Sequence, residues 1–379
     1  MAHIVIIDPG AIVRVGHDYY LPERSYLGYE AYRSYLQQEA TDVRFTVVSL
    51  HPIETVSREE VEKRRWVAAL NLEIAPQPAQ DYVRQCGQQT LVLSLLTTDT
   101  KWLVEEKVKT VYLVENTRKN KTLLTFSQGS FTWLGKMRII LGSYRIEGQL
   151  QKAAKKAVGL QCNGDAAYKA YGKHHANAIL FYDHRVHTVF ETQDSGREFK
   201  NGNSISLAFS GRIIKIKGSG YLADISQRLF RADPNIKLYV LGDGEDREKV
   251  LAAATPNLVY KGFMSYENEW EPFVQENVDI MLLPHTQGDP SMTYFESLGQ
   301  GVPIIGFDNE TLTPLAHNGL GWVAPQGDID GLVNTIMFLN GNPQAVREKQ
   351  KNSVAFMKGN VYSAVVKKRM DHLIALLAV

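Results

Sequence analysis

Short runs of β-branched and apolar residues alternate with stretches of helical periodicity along almost the whole chain. That alternation is the pattern of parallel strands joined by crossover helices. In the first half it predicts strands at His3–Ile7, Val43–Leu50, Thr90–Leu96, Thr110–Val114, Val158–Cys162 and Ala178–Tyr182. Helices are expected at Glu23–Gln38, Arg58–Leu70 and Arg145–Ala157, and the first strand runs into a turn at Asp8-Pro9-Gly10.

Residues 188–204 change character: they are polar, rich in Gly, Asn and charge, and lack apolar periodicity, as an inter-domain linker does. A second alternating series follows. It predicts strands at Ile205–Ser210, Ile236–Leu241, Leu258–Tyr260, Val278–Leu283, Val302–Phe307 and Gly321–Val323. The intervening helices fall at Tyr221–Arg231, Glu245–Ala254, Glu267–Glu276, Met292–Gln300 and Asp330–Leu339. The expected fold class is therefore α/β, with two Rossmann-like domains, 1–187 and 205–360, facing each other across a cleft. Residues 361–379 form a terminal helix able to cross back to the N-terminal domain. Open sheets of this kind take ligands at the carboxyl ends of their strands, which makes the cleft the expected site.

A chain of 379 residues suits two domains. Hydrophobic residues make up 44% and charged residues 22%, ordinary for a globular protein. The two cysteines, Cys86 and Cys162, have neither a disulfide-framework nor a zinc-ribbon spacing and fit a reducing cytosol. The N-terminus lacks the basic start and long apolar core of a signal peptide, and no apolar run is long enough for a membrane span. A formal net charge of +1 argues against a generic polyanion binder, so no nucleic-acid partner is expected. The charge is uneven, however: Thr117–Lys156 holds nine Lys/Arg and one acid, Glu147.

Candidate chemistry concentrates in the second series. Phe209-Ser210-Gly211-Arg212 ends a strand at a glycine followed at once by an arginine, with Lys217 five residues on. Glycine lets an anion approach the backbone, Arg offers a planar fork and Lys a point charge, so the pair can clamp a diphosphate. A solvated basic turn would read the same way. Leu238–Glu245 (LYVLGDGE) then carries a strand into a turn at Gly242, and Asn257–Phe263 (NLVYKGF) ends a strand at Gly262 and Phe263. After the strand closing in Leu283-Pro284 comes His285–Glu296 (HTQGDPSMTYFE), where Pro290 and Ser291 open a helix whose first N–H groups suit an anion.

In that order and spacing, GR…KG, LGDG, KGF, the strand ending in Leu-Pro and FESLGQGVPIIGF resemble the donor domain of glycosyltransferase family 4 over roughly residues 205–330. The resemblance implies the GT-B fold and transfer of a sugar, with retention, from a UDP- or GDP-linked donor to an acceptor hydroxyl in glycan or glycolipid assembly. It makes 1–187 the acceptor side. Arg212 and Lys217 resemble the pair that holds the diphosphate, beside Gly211 and Gly242. Glu296 resembles the glutamate that receives the ribose hydroxyls, and a carboxylate matches a vicinal diol. Gly262 and Phe263 would lie against the base, and Ser291, Met292 and Thr293 against the phosphates. No cofactor and no metal is implied, and the partners are a nucleotide sugar and a glycan, glycolipid or protein acceptor.

The chain departs from the pattern in three places. The first glutamate of the family's E-x7-E motif falls on Gly288, and only a one-residue slip brings in a carboxylate, Asp289, as the expected sugar contact. No Gly-Gly loop follows the first strand, and Gly16 is the nearest candidate. Where a histidine is usual after a mid-domain strand stand Glu115 and Asn116, either as its substitutes or as caps of the next turn. His17 and Asp18 lie near the expected cleft in a loop. His174-His175 lacks metal-ligand spacing, and Asp328 and Asp330 read as helix caps. The departures keep two alternatives open, a catalytically inactive GT-B partner subunit and a nucleotide-sugar epimerase. The basic segment 117–156, with Phe131-Thr132-Trp133-Leu134 in it, either docks on an anionic membrane or is an amphipathic helix with its charges in water. The expected location is the cytoplasm, with or without peripheral attachment to the inner face of the membrane.

Overall fold

The structure is a computed structural model that describes residues 2–10, 12–191, 199–200 and 202–378. It divides into two compact units: Met1–Glu115 with Leu141–Phe181 and Ser363–Val379, and Asn116–Ile140 with Tyr182–Tyr362. The first unit is thus not the contiguous span 1–187, because residues 116–140 and 182–187 group with the second. Of the expected linker 188–204, residues 192–198 and 201 lie outside the described residues.

The first unit is built on a seven-stranded parallel sheet. Its order is Ala178–Phe181, Gly159–Asn163, Thr110–Val114, Thr90–Leu95, His3–Asp8, Arg44–Ser49, Ile74–Ala75. The central strands are buried on both faces, which is why they read as continuous apolar runs and not as alternating ones. Beside it lies a small mixed sheet ordered Glu54–Thr55, Val13–Val15, Asp18–Pro22, Trp66–Ala68. It corrects the helix expected over Arg58–Leu70. That helix stops at Arg64, Arg65 takes a left-handed conformation (φ 54°), and Trp66–Ala68 pairs with Tyr20–Pro22 instead.

The helix expected from Arg145 begins twelve residues earlier and runs Trp133–Lys156. The C-terminal helix, Tyr362–Leu377, joins the first unit from Ser363 on. Its buried Arg369 donates from Nε to Gln161 Oε1 at 2.8 Å and lies 4.3 Å over the Phe181 ring. The Gln161 amide donates back to the Arg369 carbonyl at 2.9 Å. Both cysteines are free thiols.

The second unit is a six-stranded parallel sheet ordered Leu258–Gly262, Lys237–Leu241, Ser206–Ser210, Ile280–Leu283, Ile304–Phe307, Gly321–Ala324. In chain sequence this is 3-2-1-4-5-6, the doubly wound order. Its core joins Leu207, Phe209, Leu238, Val240, Ile280, Leu282, Ile305 and Phe307 to the buried faces of helices Ser219–Ala232 and Ile329–Asn340. Entry to the first strand is fixed by Asp279. Its carboxylate accepts the Lys200 N–H at 3.0 Å and the Ser206 N–H at 2.8 Å, and burial pushes it up to about 6. Among the described residues no helix is long and apolar enough to cross a membrane.

Candidate functional site

The chain reverses its direction of winding between Ser206–Ser210 and Ile280–Leu283, which are neighbours in the second sheet. Outside the carboxyl ends of such a strand pair lies the crevice where open α/β sheets hold ligands. Two loops, 211–218 and 284–291, meet there. The Thr286 N–H donates to the Ile216 carbonyl at 3.1 Å, tying one to the other. The ammonium of the buried Lys217 then lies 3.0 and 3.3 Å from the two carboxylate oxygens of Asp289. Arg212, on the same loop, is exposed and has no ion-pair partner among the described residues.

The turns that frame the crevice pack backbone on backbone. Gly242 has φ +142°, and a Cβ there would lie 2.0 Å from the Gly211 carbonyl oxygen, so only glycine closes this contact. The carboxylate of Asp243 bends onto its own turn, accepting the Gly244 N–H at 2.8 Å and pairing with Arg247. Helix Met292–Gly299 opens at Ser291, whose side chain makes no capping bond. The N–H groups of Met292 and Thr293 have no intrahelical acceptor and carry the positive end of the helix dipole, while the Tyr294 N–H goes to the Ser291 carbonyl at 3.3 Å.

One flank of the crevice is aromatic. Strand Leu258–Gly262 ends in Phe263, which is 77% exposed. The Tyr266 ring stacks on Trp270 at 5.3 Å, and Trp270 donates from its indole to Ser210 at 2.8 Å. Burial and then the charge of Glu296 raise the Tyr266 phenol above its ordinary range, which puts Glu296 on this same flank.

The other flank is a polar network. The Tyr294 hydroxyl lies 3.1 Å from Nδ1 of the fully buried His285 and receives the Asn309 amide at 3.3 Å. Burial, and next the nearby Lys217, hold His285 well below the usual histidine range, so its ring is neutral. The Asn309 side-chain oxygen takes the N–H groups of Thr311 and Leu312 at 2.9 and 2.8 Å, and the Thr311 hydroxyl donates to the Gly288 carbonyl at 2.9 Å. A Cβ on Gly288 would stand 2.6 Å from the Glu310 nitrogen and 2.7 Å from its Cβ. Residue 288 has no room for a side chain because Glu310 occupies that space.

Residues 204–342 match the family model for Glycosyl transferases group 1. Solved structures align with the chain over its full length. Against HepE of Anabaena in complex with UDP the TM-score is 0.62 at 13% identity, covering 99% of this chain and 100% of that one. Against a sucrose-phosphate synthase of Thermosynechococcus elongatus it is 0.63 at 11% identity, covering 100% of both chains. The fold is the GT-B glycosyltransferase fold. Among curated relatives, a lipopolysaccharide 1,6-galactosyltransferase of Escherichia coli K12 is 29% identical over 170 residues. That match takes in 41% of this chain and 45% of the relative, so the chain is matched to less than half of the curated protein's length.

Within this GT-B frame the second unit joins Lys217 to Asp289, with Gly211 and Arg212 on the loop of the first and Ser291, Met292 and Thr293 directly after the second. Gly242 serves to close the turns, and Gly262, Phe263 and Glu296 lie to one side. The first unit treats its candidates differently. Gly16 is not in the loop after the first strand: it turns the hairpin between Val13–Val15 and Asp18–Pro22. The glycine after that strand is Gly10, whose N–H goes to Asp8 at 2.9 Å. Glu115 follows strand Thr110–Val114, but the cap of the next helix, Arg118–Ser127, is Thr117, whose hydroxyl accepts the Asn120 N–H at 3.2 Å. Asn116 accepts instead from the Asn120 side chain.

Residues that sequence reasoning passed over are His285, Tyr294, Asn309, Glu310 and Thr117. One signal was available for Glu310: it follows the carboxyl end of a strand neighbouring the switch point. Among the described residues no group of three or more His, Cys, Asp or Glu is placed to hold a metal ion.

Proposed function

We propose that the chain is a retaining glycosyltransferase that moves a sugar from a nucleoside diphosphate donor to an acceptor hydroxyl in glycan or glycolipid assembly. The observation that carries this reading is the junction of loops 211–218 and 284–291 at the switch point of a sheet within the matched segment 204–342, with Lys217 on Asp289 next to the uncapped helix start at Ser291. A diphosphate seated there meets two cations and a helix N-terminus. Such donors stabilise the charge that grows on the diphosphate as the glycosidic bond breaks. In the scheme the bond from the sugar's anomeric carbon to the diphosphate oxygen breaks and one to the acceptor oxygen forms on the same face. The acceptor's proton passes to the departing phosphate oxygen. Asp289 orients the Lys217 ammonium, Phe263 and Gly262 meet the base, and Glu296 receives the ribose hydroxyls. Glu115 is proposed as a catalytic residue and Gly16 as a donor-binding one, and the diphosphate is neutralised without a metal.

The solved relative that holds UDP makes a UDP-linked donor the first to test. The acceptor is proposed to be a glycan or glycolipid, in keeping with the lipopolysaccharide enzyme among the relatives. Helix Trp133–Lys156 suits a lipid surface: Trp133, Leu134, Leu141 and Tyr144 are exposed among Lys136, Arg138 and Arg145. Thermal stabilisation by a panel of UDP- and GDP-sugars, followed by acceptor-dependent release of nucleotide, tests the transferase reading. Release that proceeds equally without acceptor, or an epimerised sugar as the product, contradicts it. Salt-sensitive co-sedimentation with vesicles containing anionic lipid tests the surface, and vesicles that leave the protein in the supernatant contradict it.

A further inference from the structure

The crevice has a direction, and it ends on a carboxylate. Phe263, Tyr266 and Glu296 lie on the flank of strand Leu258–Gly262, while Arg212, Lys217 and Ser291 hold the middle. On the opposite flank, past the end of strand Ile304–Phe307, stands Glu310. A nucleoside diphosphate whose base takes the aromatic flank points the group beyond its second phosphate at Glu310. We infer that Glu310, held by Thr117, accepts a hydroxyl of the donor's sugar and so helps to decide which sugar is used. The inference rests on the donor-site reading above and extends it to the sugar.

Three observations carry it. Gly288 leaves no side chain of its own at that position, and the backbone of Glu310 fills the place where one would begin. The Glu310 side chain therefore starts from the crevice wall itself. Its loop is fixed on both sides, by Asn309 to Tyr294 and by Thr311 to the Gly288 carbonyl, so the carboxylate is held ready before any ligand arrives. Finally, Thr117 uses its single hydroxyl twice: it accepts the Asn120 N–H that starts its helix and donates to Glu310 Oε2 at 2.6 Å. Oε2 is thereby oriented, while Oε1 has no hydrogen-bond partner among the described residues. A half-exposed, oriented carboxylate with an open oxygen is an acceptor suited to a sugar hydroxyl.

Asp289, the nearer carboxylate in sequence, has both oxygens on Lys217. It serves the phosphate end, which leaves the sugar to Glu310.

The test is calorimetric titration of the full chain with UDP, UDP-glucose, UDP-galactose, GDP and GDP-mannose, on wild type, Glu310→Gln, Thr117→Val and Thr117→Ser, with a melting curve for each. The sugar's contribution is the affinity ratio of nucleotide sugar to nucleotide diphosphate. Glu310→Gln is expected to lower it about tenfold or more for the preferred sugar while UDP or GDP binds as to wild type. Thr117→Val lowers it less, and Thr117→Ser, which keeps the hydroxyl, restores it. If Glu310→Gln does not fold, Glu310→Asp gives the same reading, since its shorter carboxylate draws back from the sugar. A ratio unchanged in the glutamate variants, with nucleotide still bound, overturns this inference alone. A wild-type chain that binds neither UDP nor GDP overturns the donor-site reading and the inference with it.

Discussion

The two parallel sheets wind in the same way, yet the carboxyl ends of their strands are chemically unlike. In the first unit the strand His3–Asp8 ends in a buried carboxylate with internal partners. Asp8 accepts the Gly10 N–H at 2.9 Å and the Tyr29 hydroxyl at 2.7 Å, and burial together with that contact raises the Tyr29 phenol well above its ordinary range. In the second unit the equivalent loops carry an exposed Arg212, a Lys217 whose partner sits on the opposite loop, and a helix start without a cap. One mouth is closed by its own hydrogen bonds, and the other carries an exposed cation and an uncapped helix start. Topology is common to both, so any difference in function resides in the loops.

The strongest break of this contrast is Gly242→Ala. A methyl group there meets the Gly211 carbonyl and forces alanine into a left-handed backbone. The substitution is expected to cost about 3 kcal/mol or more of stability, measured by denaturant unfolding, and to collapse the second mouth while the first persists. Next comes Lys217→Ala. Removing one charge-assisted contact should weaken binding of UDP or GDP roughly 10- to 150-fold, with Arg212→Ala similar and Lys215→Ala near wild type. Lys215 is exposed and lies beside Asp246, away from the Lys217–Asp289 pair.

Glu296→Gln sharpens the contrast along the second mouth itself. It should weaken nucleotides with an intact ribose by about tenfold and their 2′,3′-dideoxy counterparts hardly at all, by titration with both. Equal losses make Glu296 a structural residue. The smallest effect belongs to the first mouth. Asp8→Asn should lower stability by about 1 kcal/mol in a thermal melt and leave nucleotide affinity unchanged.

Much of this architecture was legible from periodicity, and for a physical reason. Strands buried on both faces read as unbroken apolar runs, as the inner four strands of the second sheet do, and all six strands of that sheet fall within two residues of their expected ends. The small mixed sheet was not legible, because strands of two or three residues such as Glu54–Thr55 carry no period. Helix Trp133–Lys156 hid its first half because Trp133, Leu134 and Leu141 face solvent and trace no buried stripe.

The site divides in the same manner. Arg212, Lys217 and Ser291 were legible because each sits at a fixed offset from the end of its own strand or helix. The Lys217–Asp289 contact joins residues 72 apart, and the Gly288–Glu310 contact joins two different loops. No local pattern announces either one. The glycine read as a gap in a glutamate motif is, in three dimensions, the space into which another glutamate fits.

The central claim is that the second mouth, and not the first, receives a nucleoside diphosphate. Parallel titrations of wild type, Lys217→Ala and Asp8→Asn with UDP and GDP address it most directly. The account predicts binding by wild type and Asp8→Asn alike, and a loss of roughly tenfold or more in Lys217→Ala. Full affinity in Lys217→Ala, or an equal loss in Asp8→Asn, would contradict it.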